Sequence, residues 1–217
     1  MPSEHDWPAV DTLLDHWTSY RPDWTGGRER LLWYLTFEER PEVAARAAAA
    51  EEALGACALD VVPARWLHLT LADVGFVDTV DPTAFRAAGA DVRRELARRP
   101  QVHLSLGPIA LMEDSVVLVA QPYDDVVRLR DVVREAGEAH GLPLADAEEA
   151  FRPHVTLGYA NTATDQDRLA ALVAGEQLPP VEVTCDRLRQ VQVTRGEGHY
   201  RWHTMSDLPL GAYRYAG

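Results

Sequence analysis

Two short segments, Leu67-His68-Leu69-Thr70-Leu71 and Pro153-His154-Val155-Thr156-Leu157, each set an imidazole and a hydroxyl two residues apart inside an apolar alternation. Alternation with a period of two reads as a half-buried β-strand. Side chains two apart on a strand point the same way, so His68 shares a face with Thr70 and His154 with Thr156. Leu69, Leu71, Val155 and Leu157 turn to the opposite, core-facing side. Imidazole titrates near neutrality, so one copy can be neutral while another is charged at little cost. Two such strands facing one substrate supply a general base and a general acid, and two hydroxyls able to donate to an oxyanion.

The tripeptide alone is common. His16-Trp17-Thr18 repeats it, and His103-Leu104-Ser105 nearly does. The first two copies differ in being framed by apolar alternation and followed by a turn-compatible stretch and a helical segment. They lie 86 residues apart (154 − 68), a spacing suited to one half of a duplicated fold. The alternative is a pair of strand histidines with structural hydrogen bonds only.

The elements that must carry these residues are legible in outline. Residues 1–28 form a Trp-rich extension (Trp7, Trp17, Trp24) expected to pack on the main body or to act as a lid, with Gly26-Gly27 as a flexible junction to residues 29–217. Leu31–Phe37 reads as a strand, with Leu32, Tyr34 and Thr36 on one face. Helices are expected over 42–54, 82–99, 124–140 and 165–174. Pro41 begins the first and Gly55 suits its end; Asp81 caps the second with Pro82 at its first position. Further strands are expected over 61–63, 66–71, 102–106, 115–120, 151–159, 181–185, 188–194 and 200–206, with Arg195-Gly196-Glu197-Gly198 as a hairpin turn. The order suggests two α+β halves with helices packed outside sheets. If the halves pair about a pseudo-two-fold axis, the two motif strands meet across one groove.

Composition narrows the chemistry. The 217 residues carry a net charge of −13. That argues against a broad electrostatic grip on duplex DNA or long RNA, which depends on neutralising phosphates. The 21 basic residues leave room for a local anion pocket. No apolar run reaches the roughly 20 residues of a membrane helix. The acidic start, Met1 to Asp6, lacks the features of a signal peptide, so a cytoplasmic location and no membrane partner are expected. Cys57 and Cys185 are too isolated for a disulfide framework or a zinc knuckle and read as buried thiols. No carboxylate-rich histidine spacing points to a metal, and no glycine-rich phosphate loop points to ATP. No cofactor is expected.

The paired signatures His68-Leu69-Thr70-Leu71 and His154-Val155-Thr156-Leu157 resemble those of the two-histidine (2H) phosphoesterase superfamily. The setting of the second, Phe151-Arg152-Pro153-His154-Val155-Thr156-Leu157-Gly158-Tyr159, and the closing Tyr200-Arg201-Trp202 through Leu208-Pro209-Leu210 are similar to bacterial 2′-5′ RNA ligase family proteins. The resemblance covers about residues 29–211. It implies an α+β, bilobal duplicated fold, with two antiparallel-type sheets lining a central groove and helices outside. It further implies metal-independent hydrolysis of 2′,3′-cyclic phosphates or 2′-5′ linkages in a small nucleotide or RNA end. His68 and His154 match the family's catalytic pair, and Thr70 and Thr156 its phosphate-binding hydroxyls. The acidic surface departs from what joining of RNA ends asks for; reversible ligation and a binding module without turnover remain alternatives.

Other side chains are weighed beside these. Arg152 leans to the face of His154 and can hold phosphate through two parallel hydrogen bonds; a surface ion pair is the other reading. Tyr34 can stack a base, bind phosphate or simply pack. Arg65 is less favourably placed. Tyr159 falls one position off the His154 face. Tyr123 and Trp202 are aromatic candidates, and His16 and His103 are read as structural. His199 and His203 flank the last strand; a metal site built from His68, His154 and one of these is an alternative that no carboxylate-rich spacing supports. A monomer is expected.

Overall fold

In the computed structural model, which describes residues 7, 10, 12–25, 27–55, 57–145 and 151–211, two antiparallel sheets stand on either side of a groove. The acidic start at residues 1–6, Gly26 of the expected junction and the last residues, 212–217, lie outside the described residues. The chain runs through α1 (His16–Ser19), β1 (Glu29–Thr36), α2 (Pro41–Leu54), β2 (Leu59–Val61), a short 3₁₀ turn (Ala64–Trp66), β3 (His68–Phe76) and α3 (Pro82–Leu96). It continues through β4 (Val102–Met112), β5 (Ser115–Gln121), α4 (Tyr123–Ala139), β6 (His154–Ala160), α5 (Gln166–Gly175), β7 (Val181–Cys185), β8 (Arg187–Arg195) and β9 (Tyr200–Pro209).

The four-stranded sheet has the order β3-β1-β8-β9 and the five-stranded sheet β2-β6-β5-β4-β7. The expected α+β architecture with motif strands in opposite sheets is therefore present. The halves are interleaved rather than consecutive: β2 joins the sheet of the second motif, while β8 returns to lie beside β1 with β9 at the edge beyond it. Both edges of this exchange are set by hydrogen-bonding partners far apart in sequence, which local pattern does not encode.

Helix α3 shows how the sequence sets an element. The Asp81 side chain accepts from Thr83 N at 2.8 Å, and Pro82 occupies the first turn, where a missing N–H costs nothing. Phe85, Ala88, Gly89, Val92 and Leu96 form its buried stripe, the helical spacing expected of a core-facing face. That stripe packs on the four-stranded sheet, where fully buried Trp33 meets Phe85 edge-on at 5.3 Å. Its end falls at Leu96, before the expected Arg99. Gly55 does follow α2, but with φ −60 rather than a left-handed cap. Trp66 belongs to the 3₁₀ turn and not to the motif strand, which runs on to Phe76. Strand β4 extends to Met112 across a register shift between Leu106 and Ile109. Cys57 and Cys185 are free and buried.

Candidate active site

The pairing of β3 and β6 with their neighbours decides what faces the groove. On β3, Thr36 pairs with His68, Tyr34 with Thr70 and Leu32 with Asp73. One extra residue, Leu71, is accommodated between Thr70 and Ala72. On β6, Val119 pairs with His154, Val117 with Thr156 and Ser115 with Tyr159, and the extra residue is Leu157. A β-bulge of one residue reverses the alternation beyond it. Asp73 therefore joins His68 and Thr70, and Tyr159 joins His154 and Thr156, in lining one cavity of about 460 Å³. Strict alternation puts Tyr159 off that face; the bulge at Leu157 corrects this. Asp73 escapes sequence reasoning for the same reason. The repeated Thr-Leu after each His, followed by a small residue (Ala72, Gly158), is the only sequence trace of the two bulges.

The two imidazoles are held alike. His68 Nδ1 lies 2.8 Å from the carbonyl oxygen of Trp66, and His154 Nδ1 lies 2.6 Å from that of Arg152. A carbonyl only accepts, so Nδ1 carries the hydrogen in both rings and Nε2 is left with its lone pair in the neutral form. His68 is stacked on Tyr34 at 4.1 Å and edged by Trp202 at 5.0 Å. Burial in these rings lowers its pKa to about 4, against the opposing pull of the Trp66 carbonyl. Burial also lowers His154; the Arg152 carbonyl and Asp114 oppose the shift, and the Arg152 charge adds to it.

The hydroxyls sit beside phenols. Burial raises the Tyr34 and Tyr159 phenols well above their ordinary value, with hydrogen bonds to Thr70 and Thr156 respectively working the other way. Tyr34 is buried against His68, so its ring face is not open for stacking a base. Arg152 lines the cavity, with Nη2 donating to both Glu113 carboxylate oxygens at 3.1 and 3.2 Å. Its Nη1 is buried without a hydrogen-bond partner among the described residues, a costly state for a charged donor unless a ligand satisfies it. Arg130 of α4, which the sequence did not single out, also lines the cavity and lies over Phe151 at 4.4 Å.

His16 lies in the cavity wall. It bonds Asp114 Oδ2 at 2.8 Å and the Tyr200 hydroxyl at 2.7 Å, with Tyr159 and Tyr20 on its two faces at 4.1 and 5.1 Å. Although burial opposes it, this imidazole holds the Asp114 carboxyl below the usual range. Trp7 meets His154 edge-on at 6.4 Å. His103 bonds Thr184 at 3.0 Å on β4. His199, His203, Arg65 and Tyr123 do not line the cavity, and Trp202 stands behind it, against His68 and Tyr34. Among the described residues, no group of three or more His, Cys, Asp or Glu is placed to hold a metal ion, and no helix is long and apolar enough to cross a membrane.

Comparison with known proteins agrees with this geometry at the level of family and fold. No curated protein matches the sequence. Among solved structures, TT0787 of Thermus thermophilus is similar with a TM-score of 0.65 at 18% identity, over 85% of this chain and 100% of that one. E. coli LigT complexed with 3′-AMP gives 0.62 at 21% identity, over 84% and 98%. A structure described as a phosphoesterase gives 0.61 at 19%, over 84% and 98%. At these identities the likeness is one of fold. The family model of the 2′-5′ RNA ligase superfamily matches residues 40–197, which include both His-x-Thr strands. The chain belongs to the 2′-5′ RNA ligase superfamily of two-histidine phosphoesterases.

Proposed function

We propose that this chain is a metal-independent phosphodiesterase that opens a 2′,3′-cyclic phosphate, or cleaves a 2′-5′ phosphodiester, in a small nucleotide or RNA end. One observation carries the reading. Two imidazoles on opposite sheets are each fixed by a carbonyl at Nδ1, which leaves both Nε2 atoms for one cavity. That is the arrangement an in-line displacement at phosphorus needs. One Nε2 takes a proton from the attacking water as its oxygen bonds phosphorus. The other gives a proton to the ribose oxygen whose bond to phosphorus breaks.

His68, with the aromatic surroundings that favour its neutral form, is the base. His154, beside Asp114, is the acid. Thr70 and Thr156 donate to the non-bridging oxygens, where charge develops. The unpartnered Nη1 of Arg152 binds the same phosphate. Tyr34 supports the site by backing His68. The nucleotide class is also supported by LigT, which is similar in fold and has been crystallised with 3′-AMP, ATP, NADP+ and phosphate.

The test is hydrolysis of the four 2′,3′-cyclic mononucleotides in EDTA by the wild type, His68→Ala and His154→Ala. Turnover that ignores EDTA and falls about 10²–10⁴-fold in each variant is expected. Loss of turnover in EDTA, or variants as active as wild type, would refute the two-histidine reading. Tight nucleotide binding with no turnover would make the site a binding module.

A further inference from the structure

The segment from Leu14 to Trp24 crosses the groove from one sheet to the other. On the five-stranded side, Leu14 N donates to the Glu113 carbonyl at 2.7 Å, His16 bonds Asp114, and Trp17 Nε1 donates to Asp60 at 2.6 Å. On the four-stranded side, His16 bonds Tyr200 and Arg21 Nε pairs with Asp73 at 3.3 Å. Trp24 stacks on Tyr200 at 5.0 Å. Arg195, at the end of β8, donates to the carbonyls of Trp17, Tyr20, Arg21 and Trp24. Four carbonyls gathered on one guanidinium, with His16 and Trp24 buried, make a fixed strap. Leu14, His16, Tyr20 and Arg21 present themselves to the cavity. The segment precedes residue 40, where the family match begins.

A groove bridged at one end admits a substrate that terminates in it and blocks a strand that must pass through. The cavity of about 460 Å³ lies within the size range of a pocket for one small ligand. We propose that residues 14–24 form an end wall of the substrate site, restricting it to mononucleotides and chain termini and rejecting linkages inside a strand. This rests on the nucleotide phosphodiester reading above, whose substrate class it narrows.

The test measures binding to the full chain by tryptophan fluorescence or calorimetry. The probes are adenosine 3′-phosphate, a short linear oligoribonucleotide ending in a 3′-phosphate, and the same sequence closed into a circle that offers phosphodiesters but no end. The mononucleotide and the linear oligomer should bind. The circle, which must displace a strap held by several hydrogen bonds, should bind about 30-fold more weakly or worse.

Two variants loosen the strap from different sides. Arg195→Ala frees its carbonyls, and Leu14→Pro removes the N–H given to Glu113; thermal melting confirms that each folds. Each should bring the circle to within about threefold of the linear oligomer. A circle that binds wild type as well as the linear oligomer does, or discrimination unchanged in both variants, overturns the wall while leaving the phosphodiesterase reading intact. Failure of all three probes to bind overturns both.

Discussion

Replacing His68 by Gln should remove much of the acid sensitivity of this fold. His68 is 8% exposed and packed against Tyr34 and Trp202, with Trp66 against Trp202 behind it, so its charged form is penalised and its pKa falls to about 4. In the unfolded chain the same group titrates near 6.5. Between those values the unfolded state binds the proton and the folded state does not, so stability rises with pH. The contribution is intact above about pH 6.5 and is lost progressively as the pH falls toward about 4.

At about pH 5, one and a half units below the unfolded value, the loss is about 2 kcal/mol. Gln cannot titrate; its amide does not superpose on Nδ1, and the resulting loss of the Trp66 hydrogen bond is the same at both pH values. The assay is urea unfolding of wild type and His68→Gln at about pH 7 and pH 5. With a typical urea slope of about 1–3 kcal/mol/M, the wild-type midpoint should fall by on the order of 1 M more than that of the variant. Carboxylate titrations are shared by both proteins and cancel in this double difference. Equal acid losses in the two proteins would refute the claim that the aromatic cage holds His68 neutral, and with it the reason for naming it the base.

On the proposed phosphodiesterase reading, the same environment sets the pH dependence of turnover. Because kcat/KM reports the free enzyme, its bell should have an acid limb near pH 4 from His68 and an alkaline limb below 6.5 from His154; initial rates on a cyclic mononucleotide check this, and a plateau extending above pH 7 would contradict it. Gly89→Ala tests the seat of α3 on the four-stranded sheet: a Cβ there would collide with Oε1 of Gln190, which is buried and whose amide donates to the Phe85 carbonyl at 2.6 Å. Helix propensity alone would favour Ala by about 0.5–1 kcal/mol, yet the clash should cost about 1–3 kcal/mol net in chemical denaturation; a stabilised variant would show that the Gln190 side chain swings aside freely.

Local sequence determined much of this protein. Period-two alternation around His68 and His154 marked the motif strands and put each His beside its Thr. The Asp81-Pro82 start marked where α3 begins. These readings succeed because alternation and capping act over a few residues.

What tertiary structure decided lies where long-range pairing overrides local period. The bulges at Leu71 and Leu157 exist only in the register of β3 against β1 and of β6 against β5. They turn Asp73 and Tyr159 into the cavity against the strict alternation that places them elsewhere. Tyr34, one candidate on an apparently polar strand face, is claimed by His68 once β1 and β3 pair. Arg152 splits between Glu113 and an unsatisfied Nη1 that no spacing rule foretells. His16, in a stretch the sequence sets apart, becomes part of the site because Asp114 and Tyr200 lie 98 and 184 residues away along the chain and meet only across the groove. A sequence written along one dimension carries the period of each strand; which strands share a groove, and which charges they force together, depends on contacts closed at loop lengths that no local pattern spans.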